Sequence, residues 1–66
     1  MRWIAKVVDN RLKLEGSSYE EAGAEIHAKD DGTFDLFEIT QFAVAMIYDD
    51  NYKNINEAIK MAESWT

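Results

Sequence analysis

The stretch Asp30-Asp31-Gly32-Thr33-Phe34-Asp35-Leu36-Phe37-Glu38 constrains this chain more than any other. Two acids and a glycine make a tight turn, and the residues directly after the glycine have the marks of a helix start. Asp35 can accept hydrogen bonds from the free N–H groups of a first helical turn. Glu38, three residues on, completes a capping box. Phe34 and Ile39 stand where a hydrophobic staple would close across the cap. These devices together predict a helix beginning at Asp35.

With that one, four windows carry helical periodicity. Trp3, Ile4, Val7, Val8 and Leu12 recur at three- and four-residue steps, and Gly16 stands where a helix terminates. Ser17 or Ser18 can cap a second window, with Glu20 or Glu21 completing the box and Tyr19, Ala22 and Ile26 as its inner stripe. The third, from Leu36 to Tyr48, is apolar on most sides and is expected to be the most buried. The fourth begins near Asn54, with Glu57 three residues on, and shows Ile55, Ala58, Ile59, Ala62 and Trp65. On this pattern the expected fold is all-α, a small bundle of about four short helices.

A second reading uses the same residues. Asp9-Asn10 can turn a hairpin between Trp3–Val8 and Arg11–Glu15, whose flanks alternate tolerably well. Asp30-Asp31-Gly32 can turn another, with Phe42–Tyr48 as a further strand. The alternative is therefore an α+β domain: a short antiparallel meander with the same C-terminal helix.

At 66 residues the chain is expected to be one domain, residues 1–66, with one small core near the lower limit for independent folding. There is no cysteine, which excludes disulfides and thiolate zinc sites. Nothing reads as a signal peptide or a membrane-spanning segment, so a cytoplasmic, intracellular protein is expected. Association of copies would enlarge so small a core, and a homo-oligomer stays open on that ground.

The net charge is −6, unevenly spread. Arg2, Lys6, Arg11 and Lys13 make the opening segment basic, and acids dominate from Glu15 onward. Such a surface repels nucleic acid over most of its area and suits a basic protein partner. Catalysis is not expected. His27 is the only histidine, no cysteine or Gly-x-Ser-x-Gly elbow accompanies it, and no phosphate-binding glycine pattern occurs. No cofactor is implied.

The Asp30–Glu38 stretch resembles the second half of an EF-hand loop. Gly32 matches the sharp turn, Thr33 the carbonyl ligand, Phe34 the hydrophobic position, and Asp35 the water-mediated ligand. Glu38 matches the bidentate end and Asp31 the ligand before the glycine. The first ligand position falls on His27 and the next on Lys29, where the pattern departs. The resemblance implies a degenerate helix–loop–helix, with Asp31, Asp35 and Glu38 as partial ligands of a metal-responsive module. In size and acidity the chain also resembles the small accessory and inhibitor proteins of bacteriophages and mobile elements, some of which present carboxylates in place of phosphates. That likeness implies a non-enzymatic protein with a macromolecular partner, such as a basic nucleic-acid-binding protein. The contact residues it suggests are Glu20, Glu21, Glu25, Asp30, Asp31, Asp49 and Asp50. Tyr48 and Tyr52 flank the last acidic pair as a contact surface of their own.

Overall fold

In the computed structural model, which describes residues 1–17, 23–40 and 43–64, the chain is a five-stranded antiparallel meander closed by one helix. The strands are β1 (Arg2–Val8), β2 (Arg11–Ser17), β3 (Gly23–Ala28), β4 (Phe34–Thr40) and β5 (Ala43–Tyr52), followed by α1 (Ile55–Glu63). Each strand pairs with its neighbour in sequence, in the order β1-β2-β3-β4-β5. The expected all-α bundle is overturned, and the meander with a C-terminal helix is the closer reading.

Two turns decide this. Asp9 and Asn10 both take positive φ, 52° and 63°, which is the two-residue turn whose twist matches a hairpin. It locks β1 onto β2 from Val8↔Arg11 to Arg2↔Ser17. Between β3 and β4, Gly32 N–H donates to the Lys29 carbonyl (3.2 Å) and Lys29 N–H to that of Thr33 (2.9 Å). Gly32, at φ 85°, supplies the left-handed residue that such a three-residue loop needs. Asp31 accepts from both the Thr33 N–H (3.0 Å) and its hydroxyl (2.5 Å), which fixes the turn from inside.

The helical spacing misled for a physical reason. The adjacent pairs Trp3-Ile4 and Val7-Val8 do fit a helix stripe. In a strand they divide between two faces, and both faces of β1 are partly apolar. Likewise Asp35 and Glu38 do not form a capping box. The Asp35 carboxylate turns sideways to the Lys29 ammonium (3.0 Å) and, at 3.4 Å, the Asn51 N–H of β5.

The fourth window is helical as expected. Asn54 is its N-cap, the side-chain oxygen accepting from Asn56 N–H at 2.8 Å, and Ser64 closes the other end. The helix lies on β3, β4 and β5. Ala58 and Ala62 face the sheet and bury completely with Ala24, Ile26 and Leu36. Trp3, Leu14, Phe34, Tyr52, Ile55 and Ile59 pack around that centre. Ring atoms of Trp3 and the Met1 sulfur lie where a Cβ on Gly16 would stand, so the glycine lets the indole lie flat on β2. Trp65, the last residue of the expected helical stripe, falls outside the described residues. No helix is long and apolar enough to cross a membrane among the described residues.

Candidate functional site

Register sorts the side chains into a helix face and an open face. The open face carries Arg2, Ile4, Lys6 and Val8 from β1, then Lys13 and Glu15, Glu25 and His27, and Asp35 and Phe37 from successive strands. Directly opposed residues there are of like charge: Lys6 faces Lys13, and Glu15 faces Glu25. Such oppositions destabilise a sheet unless the charges find other partners, and here they do. Lys6 reaches Glu15 (2.7 Å), Lys13 reaches both Glu15 (3.2 Å) and Glu25 (3.4 Å), and His27 Nε2 lies 2.8 Å from Glu25. The chain Lys6–Glu15–Lys13–Glu25 alternates in sign across three strands and continues to the His27 ring. It ends where the His27 ring meets Phe37, centroids 4.5 Å apart and tilted by 44°.

The ladder displaces its members' acidities. The Glu15 carboxyl is held below its ordinary value of 4.5, first by the Lys6 hydrogen bond and then by that of Lys13. Lys13 is raised above 10.5, chiefly by Glu15, against some loss of hydration and with Glu25 adding to it. Asp31 is lowered by the Thr33 hydroxyl, then by its N–H. A carboxylate lowered on folding stabilises the native state above its unfolded value, and that contribution disappears as pH falls through the folded value. The melting temperature should therefore fall as pH drops below 4.5. Glu15→Gln should flatten part of that acid limb, leaving the Asp31 share. Calorimetry at stepped pH checks this, and parallel acid limbs in the two proteins would remove the ladder's role. The Lys13 contribution has the opposite sense and is lost as pH rises beyond 10.5.

Of the expected contact residues, the side chains of Glu25, Asp30, Asp31 and Tyr52 are among those described. Glu25 sits half-buried inside the ladder. Asp30 is paired with Arg11 at 2.7 Å and Asp31 is turned into its own loop. Tyr52 packs against the core from the end of β5. Glu20 and Glu21 lie outside the described residues, as do the side chains of Tyr48, Asp49 and Asp50. The EF-hand expectation also changes form, because the 30–33 loop joins two strands and not two helices. Asp35 and Glu38, three apart on β4, point to opposite faces of the sheet and cannot share one ion. Among the described residues no three acidic or histidine side chains gather as a metal site.

Beside the β1–β2 turn lies an open depression of about 410 Å³, lined in part by Val8, Arg11, Lys13, His27, Lys29 and Asp35. Its cations are each matched by a carboxylate: Arg11 by Asp30, Lys13 by the ladder, Lys29 by Asp35. It can accept a polar side chain, but it offers no excess of either charge.

What the sequence did not indicate is the apolar surface of the first hairpin. Because α1 covers the β3–β5 side, the outer strands are left bare toward their shared turn. Ile4, Val7, Val8 and Leu12 are 59, 76, 46 and 38% exposed. Val7 and Leu12 are cross-strand partners on the helix face, and Ile4 and Val8 lie on the open face. The signal was present in β1, apolar on both sides of its pleat, but exposure depends on where the helix lies. Compared with family models, curated proteins and solved structures, the chain matches none of them.

Proposed function

We propose that this chain is a non-enzymatic protein-interaction module whose contact surface is the β1–β2 hairpin. The observation that carries the reading is a hairpin with exposed aliphatic side chains on both faces, Val7 and Leu12 on one and Ile4 and Val8 on the other, bordered by Arg2, Lys6, Asp9 and Arg11. Apolar surface concentrated in this way, with a charged border, is what protein partners cover. The acidic remainder supplies long-range attraction for a partner that is itself basic. A continuous line of carboxylates imitating phosphates receives less support, since Glu25 and Asp30 are both paired with cations of the same chain. Engagement of the His27 ring by Glu25 and Phe37 favours a structural role for that histidine.

The test uses Val7→Ser with Leu12→Ser, both exposed and outside the core. Hot-spot truncations cost more than about 1 kcal/mol of binding, so a partner captured by the native chain should bind the variant at least about tenfold more weakly, by calorimetric titration. Thermal stability should be nearly unchanged. Unaltered binding by the double variant would place the contact surface elsewhere.

A further inference from the structure

The two edges of the sheet are built differently. β5 breaks register with β4 at several points and carries a positive φ at Asn51, irregularities that spoil an edge for pairing. β1 pairs with β2 without a break along its whole length. No described strand covers its outer side. Resting on the reading of the hairpin as a contact surface, we propose that its first partner is a second copy of this chain, joined β1 to β1 antiparallel about a two-fold axis through Ala5.

Backbone geometry selects the axis. In a two-residue hairpin Val8 and Arg11 exchange both of their hydrogen bonds, so Lys6, Ile4 and Arg2 also point their backbone groups at β2. Trp3, Ala5 and Val7 point theirs outward. A two-fold perpendicular to the sheet keeps the helix face of both copies on one side. Centred on Ala5, it pairs Trp3 with Val7 of the second copy, Ala5 with Ala5, and Val7 with Trp3. Every outward group is then used. An axis at Ile4 leaves Val7 out and sets Arg2 directly against Lys6. An axis at Lys6 leaves Trp3 out and opposes the two lysines. Of these three registers, which use most of the strand, the Ala5 one alone avoids directly opposed cations, which cost stability in a sheet.

Side chains agree with the backbone. On the helix face the most exposed aliphatic residue, Val7, comes against the Trp3 indole of the other copy, so the bare corner of one chain meets the covered corner of the next. On the open face Lys6 lies opposite Ile4 of the second copy, with Glu15 of that copy one strand further in register. The lysine stem covers the isoleucine, as long cationic side chains do on apolar surface, while its ammonium exchanges Glu15 of its own chain for that of the second copy. The same pairing buries two edges at once and doubles the width of the sheet, which a domain with so small a core benefits from.

The test exploits the absence of cysteine. Ile4→Cys and Lys6→Cys chains are made separately and mixed under oxidised glutathione. In the Ala5 register these positions face each other at a close, non-hydrogen-bonded site within reach of a disulfide. The mixture should form covalent dimer several-fold faster than either variant alone. Sedimentation velocity of the native chain should show a monomer–dimer equilibrium. Ala5→Pro, which removes an outward N–H that β2 does not use and is tolerated on an edge strand, should weaken it at least tenfold with the circular dichroism unchanged. A native chain that stays monomeric up to millimolar concentration overturns the proposal, as does a mixture that cross-links no faster than the single variants. The hairpin reading fails separately, if Val7→Ser with Leu12→Ser leaves association with every tested protein, itself included, unaltered.

Discussion

Replacing Leu36 with alanine is expected to leave the chain mostly unfolded at 25 °C. Leu36 and Ile26 are the largest side chains wholly buried among the described residues, and they face each other across β3 and β4 beneath α1. Truncating a buried leucine costs about 2–5 kcal/mol, through lost transfer energy and the cavity left behind. A core of this size rarely supplies more than about 3–5 kcal/mol of net stability. The substitution therefore removes about as much as there is to lose. Urea titration followed by circular dichroism checks it, with Ile26→Val as a milder control expected to cost about 1 kcal/mol. A Leu36→Ala protein with a cooperative transition near that of the native chain would show that the core lies elsewhere.

The second large effect is expected from enlarging a residue. Ala58 and Ala62 on α1 and Ala24 on β3 are fully buried, so it is small side chains that let the helix lie close on the sheet. Ala58→Leu places additional carbons into that contact, and overpacking of this kind costs about 1–3 kcal/mol. Leucine and alanine differ little in helix propensity, so the loss cannot be assigned to the helix itself. The same change at exposed Lys60 serves as the control and should be nearly neutral. Equal stability of the two variants in denaturant titration would mean that the helix–sheet contact tolerates a leucine and is looser than described.

How much of the fold was legible depends on the kind of signal each element carries. The C-terminal helix was readable because Asn54 offers a cap and the apolar stripe of Ile55, Ala58, Ile59 and Ala62 has one period only. Both hairpin turns were also visible, in Asp9-Asn10 and in Asp30-Asp31-Gly32, but as an alternative. The strands were not, because spacing is ambiguous when adjacent apolar residues such as Val7 and Val8 serve two faces of a sheet as readily as one face of a helix. A stronger cue lay in β2 and β3. There Leu12, Leu14 and Gly16 alternate with Arg11, Lys13 and Glu15, and Ala24, Ile26 and Ala28 alternate with Glu25 and His27.

The site was harder to foresee than the fold. The ladder depends on register: Lys6 and Glu15 become partners only once Val8 is set against Arg11, and one residue of slip would send them to opposite faces. The acids judged available for a partner are, where described, largely committed within the chain, Asp30 to Arg11 and Glu25 to Lys13 and His27. The exposed hairpin surface depends on a helix lying forty and more residues away in sequence, which local pattern does not report.

The meander order has a consequence for how the chain comes together. Every strand finds its partner immediately before or after it, so each closure spans a short loop and carries a small entropic cost. Hairpins can form one after another as local events, the kind of topology that folds quickly for its size. The helix is the exception, since it must return from the end of the chain to meet residues as early as Trp3, whose indole N–H donates to Glu63 at 3.3 Å. Until it does, Ile26 and Leu36 lie on an uncovered sheet, so docking of α1 is the step at which a set of fluctuating hairpins becomes a cooperative domain.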